Sequence, residues 1–142
     1  MQTITNAGSP SETRKLGEEL GRDLKPGSVV ALLGDLGAGK TTFVQGLARG
    51  LNISEIVTSP TFVIVNEYKI PDKKSSLYHI DLYRTDDISQ ISDLGFQDIF
   101  NTDSIVVIEW AEKAQNLLPD GCIKVNFKVI SETERQIEIV GN

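Results

Sequence analysis

Gly34-Asp35-Leu36-Gly37-Ala38-Gly39-Lys40-Thr41 carries more structural information than any other stretch of this chain. It matches the pattern G-x-x-x-x-G-K-[ST] at every fixed position. An apolar run, Val29-Val30-Ala31-Leu32-Leu33, precedes it and predicts a buried strand. A helical pattern follows, with Phe43, Val44, Leu47, Ala48 and Leu51 on one stripe. Strand, glycine loop and helix together are the setting of a phosphate-binding loop. Glycines let successive backbone N–H groups curl around a phosphate without Cβ clashes. The helix N-terminus adds partial positive charge at the same point. On this pattern Lys40 bridges the β- and γ-phosphates of a nucleotide, and the Thr41 hydroxyl sits on a magnesium ion. The bland alternative is a glycine-rich turn before a helix, and the flanking pattern argues against it.

Outward from the loop, the chain alternates helical and strand patterns. Ser9-Pro10-Ser11-Glu12 reads as a helix start, with Ser9 as N-cap, Pro10 at N1 and Glu12 at the capping-box position. Leu16, Leu20 and Leu24 predict a buried stripe, and Lys25-Pro26-Gly27 ends the helix. Asn52 to Ser59 reads as loop. Phe62 to Tyr68 and Leu77 to Asp81 read as two strands joined by a turn at Pro71–Ser75, hence a hairpin. Asp86 caps a short predicted helix carrying Ile88, Ile91 and Leu94; Gly95 breaks it, and Phe96 to Phe100 gives another turn. Ile105-Val106-Val107-Ile108 is a continuous β-branched run, the pattern of a strand buried on both faces. Ala111 to Leu118 predicts a short helix before Pro119. Ile123, Val125, Phe127 and Val129 alternate with polar residues, as do Ile137 and Ile139, which predicts a hairpin with one wet face. The fold class is α/β: a P-loop NTPase-like sandwich whose mixed central sheet is parallel in its core and antiparallel in its marginal hairpins.

A P-loop enzyme needs an acid near its magnesium, usually at the end of a buried strand. Glu109 directly ends the Ile105–Ile108 run, and Asp81 ends the Leu77–Ile80 run. A solvated turn residue is the alternative for each. Both can serve, one in the metal shell and the other orienting an attacking water. Ser59-Pro60-Thr61 lies where P-loop proteins keep switch segments, whose hydroxyl senses the γ-phosphate. A simple proline turn fits that spacing equally well. His79 is the single histidine and reads as a hydrogen-bonded structural residue rather than a base. Arg84 either pairs with a carboxylate or phosphate or makes a surface ion pair. Trp110 reads as packing. The N-K-x-D pattern of guanine recognition is absent, which favours adenine.

At 142 residues the chain is expected to be one domain, 1–142, with little room for a lid. Hydrophobic content is 39% and charged content 24%, which places it among water-soluble globular chains. No stretch approaches the ~20 apolar residues of a membrane span. The first residues lack the basic and apolar regions of a secretory signal. A lone cysteine, Cys122, excludes an internal disulfide, fits a reducing cytoplasm, and reads as a strand residue rather than a nucleophile. The net charge is −6 and the basic residues are scattered, which argues against autonomous nucleic-acid binding. A negative surface can still dock on a basic partner protein.

Five segments occur in a telling order: Gly-Asp-Leu-Gly-Ala-Gly-Lys-Thr-Thr (34–42), Ser-Pro-Thr-Phe (59–62), His-Ile-Asp-Leu-Tyr-Arg (79–84), Leu-Gly-Phe (94–96) and Ile-Glu-Trp (108–110). With them the chain closely resembles the bacterial TsaE (YjeE) ATPases, from about Ser9 to Val140. The resemblance implies a small cytoplasmic ATPase needed for threonylcarbamoyladenosine in tRNA, at the base next to the anticodon. It implies a place beside the TsaB–TsaD pair, with nucleotide turnover keeping that assembly cycling and tRNA met through the complex. It further implies ATP and Mg2+ as ligands. Gly34, Asp35, Leu36, Gly37, Ala38, Gly39, Lys40, Thr41 and Thr42 would hold the ATP phosphates. Thr41 and Glu109 would hold magnesium. Thr61 and Asp81 fall in the family's switch and acidic motifs, and Ser9 and Arg135 fall where its chain approaches the adenine. Two other readings stay open: a small-molecule P-loop kinase, and a module that binds nucleotide without turning it over. A kinase normally brings several arginines from a lid, whereas the five here (Arg14, Arg22, Arg49, Arg84, Arg135) are widely spread.

Overall fold

A computed structural model describes residues 2–35, 37–58, 65–83, 99–100 and 103–141. The elements run in the order β1 (Gln2–Ala7), α1 (Pro10–Asp23), β2 (Val29–Leu33), α2 (Lys40–Gly50), β3 (Val65–Lys69), β4 (Ser76–Asp81) and β5 (Ile105–Glu109). A 3₁₀ segment at Ala111–Leu117 follows, then β6 (Ile123–Val129) and β7 (Arg135–Val140). Among the described residues the strands form a seven-stranded sheet of order β1-β7-β6-β2-β5-β4-β3. β2 pairs in parallel with both β5 and β6, and β4 pairs in parallel with β5. The β3–β4, β6–β7 and β1–β7 pairs are antiparallel. This is the mixed sheet expected from the sequence, parallel at its centre and antiparallel at both margins.

Alternation along the central strands sorts side chains onto two faces. Val30, Leu32, Leu77, Val107 and Val125 join Phe43, Val44, Leu47 and Ala48 of α2 in one apolar cluster. Val29, Ala31, Ile80, Val106 and Ile108 join Ala111 and Ala114 of the 3₁₀ segment in the other. All five residues of β5 are buried, as a strand packed on both faces requires. Phe43 meets Phe127 edge-on, with ring centroids 5.4 Å apart, and each such fully buried large side chain contributes about 1.5–3 kcal/mol.

Helix α1 starts as its sequence predicts. Ser9 is the N-cap and its Oγ accepts from the Glu12 N–H at 3.2 Å. Glu12 reaches back to the Gly8 N–H rather than to that of Ser9, a capping box displaced by one residue. The inward face of α1 differs from expectation. Its fully buried positions are Thr13, Gly17 and Gly21, while Leu16, Leu20 and Leu24 only border the core, partly buried. The reason is the closeness of α2. A Cβ on Gly17 would lie 2.2 Å from the Phe43 carbonyl oxygen, and one on Gly46 would lie 1.9 Å from that of Arg14. Gly21 and Gly50 face equally near backbone, at 2.3 Å from the carbonyl oxygens of Leu47 and Glu18. Glycines spaced by four on both helices let the two backbones touch, so the leucines are pushed to the flanks.

Three further differences have local causes. β1 was not apparent in the sequence because five of its six residues are exposed and Ile4 is its one large apolar side chain. It is an edge strand held by pairing to β7. The segment after β5 is 3₁₀ rather than α, because Trp110 enters it in the left-handed region (φ 58°) and Ala114 breaks its regularity (φ −130°). Cys122 lies just before β6 and packs, half-buried, beside the second cluster. Leu36, the Ser59-Pro60-Thr61 segment, Phe62–Ile64, Arg84 and the helix expected from Asp86 to Leu94 lie outside the described residues. Of the following turn, Ile99 and Phe100 are helical.

Candidate nucleotide and metal site

The carboxyl ends of β2, β5 and β4 form one edge of the parallel core, where open α/β sheets place ligands. The register sets Leu32 of β2 beside Glu109 of β5, and Glu109 beside Asp81 of β4. Paired residues share a face, so both carboxylates stand on the side covered by α2. His79 stands on that same face, two residues before Asp81.

The loop between β2 and α2 depends on its glycines. Gly39 caps α2 in the left-handed region (φ 93°), and the Phe43 N–H returns to its carbonyl at 2.9 Å. Gly34 (φ 147°) runs so close to β6 that a Cβ would lie 2.8 Å from the Phe127 carbonyl oxygen. Ala38 is buried, Asp35 is exposed and Thr42 is half-buried. Lys40 is only 4% exposed. Its Nζ donates to the Gly34 carbonyl and sits 3.4 Å from the Trp110 ring centroid. Burial pushes the Lys40 ammonium below its ordinary pKa, while the carboxylates of Glu112, Glu109, Asp81 and Asp35 oppose that shift.

Thr41, on the first turn of α2, donates its hydroxyl to the Glu109 carboxylate, with Oγ1 3.0 Å from Oε1 and 3.1 Å from Oε2. Glu109 is 3% exposed, and its Oε2 also lies 2.5 Å from His79 Nε2. Asp81 accepts the Tyr83 N–H at 3.0 Å. Burial raises the Asp81 pKa; the Tyr83 hydrogen bond opposes the rise and the Glu109 charge adds to it. A hydroxyl and a carboxylate already in contact make a hard-oxygen pair suited to magnesium. That ion takes one or two protein oxygens and completes its shell with water and phosphate. Among the described residues no group of three or more His, Cys, Asp or Glu is placed to hold a metal, so the donor set fits a shared ion rather than an all-protein cage.

Lys40, Thr41, Glu109 and Asp81 therefore converge at one edge of the sheet. Arg135 reaches the same loop from the side, its Nη2 donating to the Gly37 carbonyl at 3.1 Å. Pairing of Ala7 with Arg135 across β1 and β7 brings the start of α1 to that end of the sheet, although the Ser9 hydroxyl is used there as a cap. Thr61 and Leu36 are outside the described residues. Two participants were not foreseen from sequence. Glu112 lies 3.4 Å from the Gly34 N–H, and Trp110, read as packing, is the platform under Lys40. The position of Trp110 directly after Glu109 was the available signal for the second; nothing in the sequence pointed to the first.

A family model described as "Threonylcarbamoyl adenosine biosynthesis protein TsaE" matches residues 7–137. The chain belongs to the TsaE family. It is 42% identical over 136 residues to the tRNA threonylcarbamoyladenosine biosynthesis protein TsaE of Bacillus subtilis, covering 94% of this chain and 84% of that one. The protein of the same name from Haemophilus influenzae is 46% identical over 112 residues, covering 79% and 69%. Among solved structures, that of Bacillus subtilis YdiB superposes with a TM-score of 0.83 at 35% identity, covering 99% of this chain and 86% of that one. The TsaE resemblance read from five short segments thus extends over nearly the whole chain. No helix among the described residues is long and apolar enough to cross a membrane.

Proposed function

We propose that this chain serves the formation of threonylcarbamoyladenosine in tRNA as a magnesium-dependent ATPase that cycles a TsaB–TsaD pair. Its family membership supports the pathway. The observation that carries the ATPase reading is the contact between the Thr41 hydroxyl and the buried Glu109 carboxylate beside Lys40. Bound magnesium supplies charge neutralisation to the β- and γ-phosphates. Thr41 and Glu109 would hold that ion, and the glycine loop would offer its N–H groups to the phosphates. Lys40 would leave the Gly34 carbonyl and Trp110 for the phosphate oxygens. Asp81, beside Glu109 in the register, would orient a water. Adenosine is the expected nucleoside, with Arg135 and the chain near Ser9 on its side of the loop.

The kinase alternative finds little support in the arginines. Arg14, Arg22 and Arg49 line a groove with Ser11, Lys15 and Glu18, and none of these residues belongs to the phosphate loop. The test is steady-state phosphate release by the chain alone and with TsaB–TsaD. Slow release alone and at least tenfold faster release with the partners are expected, since a borrowed catalytic charge is worth ~10³–10⁵-fold in related enzymes. Equal release in both conditions rejects the cycling role.

A further inference from the structure

His79 has a connection that the TsaE reading leaves unassigned. It is fully buried on the α2-covered face of β4, between Leu77 below and Asp81 above. Its face-mates Leu77 and Val107 are apolar and fully buried. An apolar side chain would suit this position, and a buried imidazole costs free energy unless its nitrogens are used. One is used: Nε2 lies 2.5 Å from Glu109 Oε2. The other, Nδ1, is buried and has no hydrogen-bond partner among the described residues. A carboxylate oxygen accepts, so the proton of this contact sits on Nε2, and His79 donates it to Glu109.

We propose that His79 is the positioning residue that holds the Glu109 carboxylate in place for magnesium; this rests on the ATP–magnesium reading above. The Glu109 carboxylate has two described partners, the Thr41 hydroxyl and His79. Thr41 is itself expected to bind the ion through its hydroxyl oxygen, so His79 is the described partner of the carboxylate that would not also be a metal ligand, and it would keep Oε2 from rotating away. A donor behind a metal-ligating carboxylate tunes both its orientation and the affinity for the ion.

The test compares the full-length parent with His79→Leu and His79→Gln. Leucine fills the space without a donor, and glutamine returns an N–H near the Nε2 position. ATP affinity is titrated calorimetrically in EDTA and then across a magnesium series. His79→Leu is expected to bind ATP within about twofold of the parent in EDTA, and to need roughly tenfold or more magnesium for half-maximal tightening. His79→Gln is expected to recover most of that loss. An unchanged magnesium requirement in His79→Leu overturns the proposal, as does equal impairment of the two variants. Imidazole nitrogen NMR of the nucleotide-free parent provides a readout independent of ATP. A proton on Nε2 is expected, and a ring that carries none on Nε2 overturns the proposal. A parent that binds no ATP in either condition rejects the ATP reading and the magnesium role together. ATP binding with an indifferent leucine variant rejects the role of His79 alone.

Discussion

Lys40 lies between a carbonyl and an indole ring in the structure, and removing it is the direct test of the phosphate loop. Lys40→Ala should weaken ATP binding or turnover by about 2–4 kcal/mol, the worth of a charge-assisted contact to phosphate. Calorimetric titration checks it, and parent-like affinity would reject the loop assignment. The two acids should separate by experiment. Glu109→Ala is expected to blunt the magnesium dependence of ATP binding, and Asp81→Asn to preserve binding while slowing phosphate release. The reverse pattern would exchange their roles. Burial also pushes the Cys122 thiol above its ordinary pKa, against the opposing charge of Lys124. Its thiolate population, and so its alkylation rate, should keep rising with pH beyond 9.0, where an unperturbed thiol is half ionised. A rate profile that levels off below that pH contradicts this. Much at this level was legible from sequence. Lys40 and Thr41 stand in a contiguous motif, and Glu109 ends a run whose burial its own residues announce. The pairing of His79 with Glu109 was not, because it joins side chains 30 positions apart on two strands. Nor was the seat of Lys40 on Trp110, which depends on a left-handed backbone at a non-glycine residue.

Helices and strands were legible in proportion to how far their burial follows a period. α2 and β5 present regular apolar patterns and lie where their patterns put them. β1 has no such pattern, since its order comes from hydrogen bonds to β7 and not from side chains. The pattern puts α1 on the right residues but points its leucines, not its glycines, at the neighbouring helix. Leucines at i, i+4 and i+8 are a strong apolar signal, whereas glycines at i, i+4 are silent until a second helix is known to lie against them. The consequence can be measured. Gly46→Ala would drive a methyl group into the Arg14 carbonyl, and overpacking of this kind costs about 1–3 kcal/mol or more. Thermal unfolding should show a fall of several degrees for Gly46→Ala. Glu19→Ala, on the exposed side of α1, should stay within about 0.5 kcal/mol of the parent. A Gly46→Ala protein as stable as the parent would mean that the helices can part without cost.

Over the whole molecule, charge and architecture bear on how partners engage it. The net charge of −6 predicts that the proposed docking to TsaB–TsaD, and any stimulation that goes with it, weakens as salt rises from about 0.05 to 0.5 M, where screening shortens from roughly 14 Å to 4 Å. Stimulation that is flat across that range would point to an interface without net electrostatic attraction. The glycine-faced crossing of α1 and α2 has a mechanical consequence as well. No deformable side chain lies between those backbones at the crossing, so there is little there to absorb a displacement. The two helices are therefore expected to move together as a single strut. One end of that strut is Ser9 beside the edge strand; the other member begins at Lys40. A hand laid on the outside of α1 would then be a hand on the phosphate loop, and a partner would not need to enter the site to move it.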